Sequence, residues 1–156
     1  NPILRFFAAY PSFDYNPGLR PYSSHTSEFN RLCEVMEWGK KGRRRKAARK
    51  EFQEALVRWF NEAYGVDAEC LEAWQELCKD SRIHPVPGTL VKARKTMFNT
   101  HVNLMDLADA RRHPDHRLIK FATEKELSQY TLKAGKMVPA SSDEASGVSR
   151  ALLRYI

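Results

Sequence analysis

Between Arg45 and Tyr64 the apolar residues Ala48, Phe52, Ala55, Leu56, Trp59 and Ala63 recur at intervals of three and four. That spacing puts them on one stripe of an α-helix, and Gly65 just beyond is a natural residue for the helix C-terminus. No other stretch of the chain carries so strong a helical signal, and most of the remaining segments repeat it on a smaller scale. Asn1 and Pro2 suit a helix start, with Ile3, Phe6, Phe7 and Tyr10 on one face. Thr26 or Ser27 is placed to cap a helix carrying Phe29, Leu32, Cys33 and Met36. Asp67 is placed to cap another, with Cys70, Leu71, Trp74, Leu77 and Cys78 inward.

Further on, Thr89 opens a helical pattern through Leu90, Ala93, Met97, His101, Leu104 and Ala108, and a break near Asn99–Thr100 stays open. Thr123 with Glu126 reads as a capping box, and Gly135 as the stop of that helix. A last helix carries Val148, Ala151, Leu152, Tyr155 and Ile156, after a small-residue loop over Pro139–Gly147. Leu118–Phe121 and Lys136–Val138 are the strand candidates. The Pro- and Gly-containing stretch Ser12–Ser24 holds Phe13, Tyr15 and Tyr22, rings that are costly to leave in water, so it is expected to lie across the core. The expectation is a mainly α, single compact multi-helix domain over residues 1–156, with at most two or three short strands near the C-terminal third. A length of 156 residues fits one domain, and 42% hydrophobic against 29% charged residues excludes a disordered composition. No run approaches the roughly 20 apolar residues of a membrane span, so no membrane partner is expected. The chain begins at Asn1 without Met, which leaves a preceding targeting segment open.

Charge is distributed very unevenly. The formal net charge is +7, from 26 Lys and Arg against 19 Asp and Glu. Lys40, Lys41, Arg43, Arg44, Arg45, Lys46, Arg49 and Lys50 fall in one eleven-residue stretch without an acid. Without it, 18 basic residues face 19 acidic ones, a net of −1. These cations crowd the start of the long helix, where the macrodipole is already positive and each basic residue typically costs about 0.3–1 kcal/mol. Breaking a local rule in this way invites a functional explanation. A helix N-terminus with several mobile cations in its glycine-containing lead-in suits phosphate, and four of the eight are forked guanidinium groups.

Three readings follow. The cluster contacts nucleic-acid phosphates with little base specificity. Or it is a nuclear-import segment or a dock for an acidic protein. Or it is a solvated face, paired internally with the acids of Glu62–Asp80, six against the single Lys79. No zinc-finger spacing, RNP signature or clear helix-turn-helix accompanies it. Lys92, Arg94, Lys95, Arg111, Arg112 and Arg117 extend the patch only if the fold brings them to it.

Catalytic signals are sparse. There is no GxSxG, no phosphate-binding glycine loop and no activated cysteine context. Cys33, Cys70 and Cys78, an odd number without CxxC, read as free buried or half-buried thiols of a reducing, intracellular compartment, nuclear or cytoplasmic. His113, His116, Asp106 and Asp109 hint at a metal cluster, but Pro114 breaks the spacing that would converge them, and Asp106 and Asp109 read as solvated acids. His101 reads as a core histidine unless an acid such as Asp106 or Glu124 meets it. No cofactor, metal or catalytic residue is therefore assigned, and the expectation is a binding domain rather than an enzyme.

The stretches NPILRFFAAYPSFDY, EF…RLC, ARKEFQEALVRWFNEAYG, LEAWQELC, IHPVPGTL, THVNLMDLAD, IKF, LSQYT…GK and the terminal LLRYI, as a set, resemble a group of small fungal proteins of uncharacterised function. The resemblance covers nearly the whole chain. It implies a standalone compact domain and no particular activity, cofactor or site residue.

Overall fold

Glycines bracket the longest helix, which runs from Arg43 to Tyr64 between Gly42 and Gly65. In this computed structural model the described residues are 1–21, 23–138, 145 and 147–153. Among them are eight helices: α1 (Pro2–Ala8), α2 (His25–Val35), α3 (Arg43–Tyr64), α4 (Leu71–Asp80), α5 (Leu90–Phe98), α6 (Leu104–Arg112), α7 (Glu124–Ala134) and α8 (Gly147–Leu153). The fold is mainly α, one domain built along α3. Tyr22, Tyr155, Ile156 and most of the loop expected over 139–147 lie outside the described residues.

Two apolar clusters share α3. Around its N-terminal half pack Ile3, Phe6 and Phe7 of α1 and Phe29, Leu32 and Cys33 of α2. Phe52 is the centre: its ring stacks on Phe29 at 5.0 Å and meets Phe6 at 5.4 Å. Phe13 is buried here and Tyr15 stacks on Phe7 at 4.1 Å, so the N-terminal aromatic residues do wrap the core. Around the other half, Val57, Phe60 and Tyr64 meet Trp74 and Leu77 of α4, Ala93 and Met97 of α5, and Val148 and Leu152 of α8.

Helix α6 contributes to both clusters, Met105 and Ala108 to the first and Leu104 and Leu107 to the second. Every residue from Val102 to Ala110 is buried. Its polar side chains must therefore find protein partners. Asn103 caps it, its Oδ1 accepting from Met105 and Asp106 N–H while its Nδ2 donates to Thr131 Oγ1 and the Lys136 carbonyl. Asp109, 1% exposed, accepts the His25 backbone N–H at 2.9 Å, and the His25 Nδ1 lies 2.7 Å away. Arg112 donates to the Ser23 carbonyl. Arg111 reaches Asp80 of α4.

Several local expectations are corrected by these contacts. Ser24, not Thr26 or Ser27, caps α2, because Asp109 takes the His25 N–H and starts the helix there. Asp67 caps its own short turn, accepting from Glu69 N–H, and α4 begins only after Cys70. The pattern from Thr89 breaks into α5 and α6, because His101 leaves helical geometry to bridge Phe121 and Asn103 restarts the helix. That antiparallel bridge is all that the first strand candidate forms among the described residues. The second forms no ladder, since side chains take its carbonyls: Asn103 that of Lys136, and Gln53 that of Met137 at 2.9 Å.

Two turns generate stability predictions. Glu37 (φ 57°) and Arg82 (φ 62°) each occupy the left-handed position that ends a helix. There Trp38 N–H bonds back to Cys33 and Ile83 N–H to Cys78. Glu37 is exposed, whereas the Arg82 guanidinium donates to the His116 and Pro114 carbonyls, both at 3.0 Å. Glu37→Gly should raise the urea-denaturation free energy by about 0.5–1 kcal/mol, and Arg82→Gly should not. Asp109→Ala, which strands the buried His25 N–H at the start of α2, should lower it by about 1–3 kcal/mol in the same assay.

Candidate phosphate-binding surface

Residues 39–42 form a closed turn, with Gly42 N–H donating to the Gly39 carbonyl at 2.9 Å. Lys40 and Lys41 sit at its tip, exposed. A Cβ on Gly42 would lie 3.2 Å from that carbonyl, so the close approach suits glycine. Gly42 is extended and acts as the N-cap of α3, its carbonyl accepting from Lys46 N–H. The helix thus begins two residues before the expected Arg45, and Arg43 and Arg44 are held on its first turn rather than in a mobile lead-in. Glycine has no side chain to cap the first N–H groups, and the first turn contains no acid. This end of α3 keeps its positive dipole uncompensated.

The eight candidates divide into two sets. Lys40, Lys41, Arg43, Arg44, Lys46 and Lys50 are exposed. Arg45 and Arg49 are half-buried. The Arg49 guanidinium lies 5.6 Å above the Phe29 ring, and its Nη1 would be 3.9 Å from a Cβ on Gly135. It helps join α2, α3 and the end of α7. Arg45 and Arg49 also lie near Cys33, where burial pushes the thiol up and the two guanidinium groups partly oppose it. Burial likewise raises Cys78, and Cys70 is the half-exposed thiol; all three are free.

Internal pairing among the described residues does not account for the cluster. Among the described residues, none of the eight forms a salt bridge. The acids of Glu62–Asp80 are engaged at the other end of α3: Glu62 with Arg5, Glu69 with Arg94, Glu76 and Asp80 with Arg111. From Lys46 to Tyr64 the helix rises about 27 Å. Helix α4 follows that far end, well beyond the ~8–10 Å over which salt leaves surface charges coupled. Arg94, Arg111 and Arg112 are committed to these and other internal contacts, so they do not extend the patch.

Other polar groupings missed by periodicity turn out to be structural. Asp106 and Asp109 are buried, not solvated. The clue was present in their neighbours: Leu104, Met105, Leu107, Ala108 and Ala110 leave this short helix no polar face. Asp106 accepts from Tyr130 Oη at 2.7 Å and Lys136 Nζ at 2.6 Å. Burial, with the Asp106 hydrogen bond, pushes the Tyr130 phenol up. Burial works against the Lys136 ammonium, but its bonds to Asp106 and Tyr130 prevail and hold it above the ordinary lysine range. Both raised groups favour the folded state below their ordinary values, and that contribution fades only as pH climbs through the alkaline range.

His25 is the first residue of α2 and is buried on Asp109. The His101 backbone is bonded to Phe121, and Asp106 is taken up by Tyr130 and Lys136, so the imagined pairing of His101 with Asp106 is not formed. A pocket of about 190 Å³ beside α7 is lined by Asn103, Ser128, Thr131, Lys136, Val138 and Leu153, among others, with neither histidine nor carboxylate among the described residues of its wall. No group of His, Cys, Asp or Glu among the described residues is arranged to hold a metal. No helix there is long and apolar enough to cross a membrane.

Comparison with protein families, curated proteins and solved structures finds no match to this chain.

The uncompensated helix end makes a signed prediction. Arg44→Glu should stabilise the fold by about 0.3–1 kcal/mol at low salt, measured by urea denaturation, and the gain should shrink as salt is added.

Proposed function

We propose that this domain is a non-enzymatic binding module whose Lys40–Lys50 segment attaches it to nucleic-acid phosphates with little base specificity. The observation that carries the reading is the set of six exposed cations on and beside an uncapped helix end, with no internal ion pair among the described residues. Such an arrangement lowers stability locally and gains nothing inside the fold. A polyanion repays it through counterion release and charge-assisted hydrogen bonds from the guanidinium groups. Half-buried Arg45 and Arg49 brace the surface and are not its principal contacts. The free thiols accord with a reducing intracellular setting, nuclear or cytoplasmic.

The test is a mobility shift over a salt series. It compares the wild type with a variant carrying Arg43→Ala, Arg44→Ala, Lys46→Ala and Lys50→Ala. These four positions are exposed, and alanine keeps helix propensity high, so the variant should fold. Four phosphate contacts predict about a hundredfold loss of affinity between 50 and 200 mM salt, and the variant should lose most of that dependence. Negligible wild-type binding at physiological salt would transfer the surface to the other role, an import signal or a dock for an acidic protein.

A further inference from the structure

Resting on that reading, we propose that the ligand of the α3 basic surface is a double-stranded nucleic acid, gripped through its backbone, and not a single strand. Two observations separate these ligands.

The first is the state of the aromatic rings around the cluster. Proteins hold single strands by combining a basic groove with exposed rings on which bases stack. Here the neighbouring rings are used internally. Phe29 has Phe52 stacked on it at 5.0 Å and the Arg49 guanidinium 5.6 Å from its centroid. Trp38, which immediately precedes the 39–42 turn, is half-buried and packs edge-on against Tyr10 at 5.5 Å. Its indole Nε1 is buried. Phe6 is buried between Phe7 and Phe52. Phe6 and Phe29 could accept a base only by displacing part of the core, and half-buried Trp38 is already held edge-on by Tyr10.

The second is the rigidity and spacing of the charges. Arg43, Arg44, Lys46 and Lys50 are fixed on the first two turns of a long helix, and Lys40 and Lys41 extend them from a closed turn. Arg43 to Lys50 rises about 10 Å. A duplex presents one phosphate charge per ~1.7 Å of axis, about six over that length, whereas one strand presents about half as many. The four exposed cations over that length, with Lys40 and Lys41 just beyond it, outnumber the phosphates that one strand presents there, and a flexible strand must also be ordered to reach them.

The experiment uses the intact chain and two fluorescein-labelled probes, a mixed-sequence 20-base-pair duplex and one of its strands. Anisotropy is read from 50 to 200 mM salt, together with tryptophan emission. The expected result is about tenfold tighter binding of the duplex at 100 mM salt. Its salt slope should also be steeper, and tryptophan emission should not be quenched by either probe. A second variant, Arg43→Gln with Arg44→Gln, Lys46→Gln and Lys50→Gln, is checked for folding by circular dichroism and should lose the duplex preference. A single strand that binds as tightly as the duplex, or that quenches tryptophan, overturns this inference and leaves the phosphate reading standing. Failure of both probes at 50 mM salt, or equal binding by the folded variant, overturns the phosphate reading and the inference with it.

Discussion

A short helix with no solvent side holds this fold in register. Residues 102–110 are all buried, yet Asn103, Asp106 and Asp109 lie among them, and Arg111 and Arg112 follow directly. A polar group taken from water must be partnered or it costs several kcal/mol. Each of these side chains therefore acts as a positional constraint on a different segment. Asn103 ties α6 to the end of α7 and the Lys136 carbonyl. Asp106 holds Tyr130 and Lys136. Asp109 starts α2, Arg112 holds the Ser23 carbonyl, and Arg111 reaches α4. Apolar packing alone would tolerate small shifts among these helices; the paired polar groups do not.

Helix α3 divides its duties along its length. Its apolar stripe joins the two halves of the core through Phe52, Leu56 and Phe60. Its C-terminal end is stitched to neighbours by Glu62 and Tyr64, the latter donating to Asp80 at 2.6 Å. Burial and the adjacent Asp80 carboxylate hold that phenol far above its ordinary range, so it stays a donor. Among the described residues, the exposed cations of the N-terminal end make no such stitch. The electrostatic cost there is small beside the apolar burial of the same helix, which is why the fold can carry it.

Much of the helix content was legible because periodicity is a local property. Ala48, Phe52, Ala55 and Leu56 are buried as the spacing implies, Thr123 caps α7 and Gly135 ends it. But Val57, Phe60 and Tyr64 lie deeper than Trp59 and Ala63, and Glu126 takes the Ala122 N–H and not that of Thr123, so only half of the capping box forms. Errors fell where a distant group decided a local outcome. Nothing near Ser24 announces that Asp109, more than eighty residues away, will take the His25 N–H. Nothing near Lys136 announces that Asn103 and Gln53 will take its neighbourhood's carbonyls and pre-empt a strand. The αα break at residues 99–103 likewise depends on Phe121.

By itself, the sequence determined that the chain is helical, that its basicity is confined to residues 40–50, and that this run meets the start of the long helix. Those follow from spacing and composition, which no packing can alter. Tertiary structure decided which cations are available. It half-buried Arg45 and Arg49 beneath α2 and α7, closed the turn beneath Lys40 and Lys41, and carried the acidic α4 to the opposite end of α3. The reason is geometric. A helix separates its ends by about 1.5 Å per residue. The acids of α4, which follow it directly and are tied to its far end where Tyr64 meets Asp80, therefore lie too far along its axis to neutralise the cations at its start.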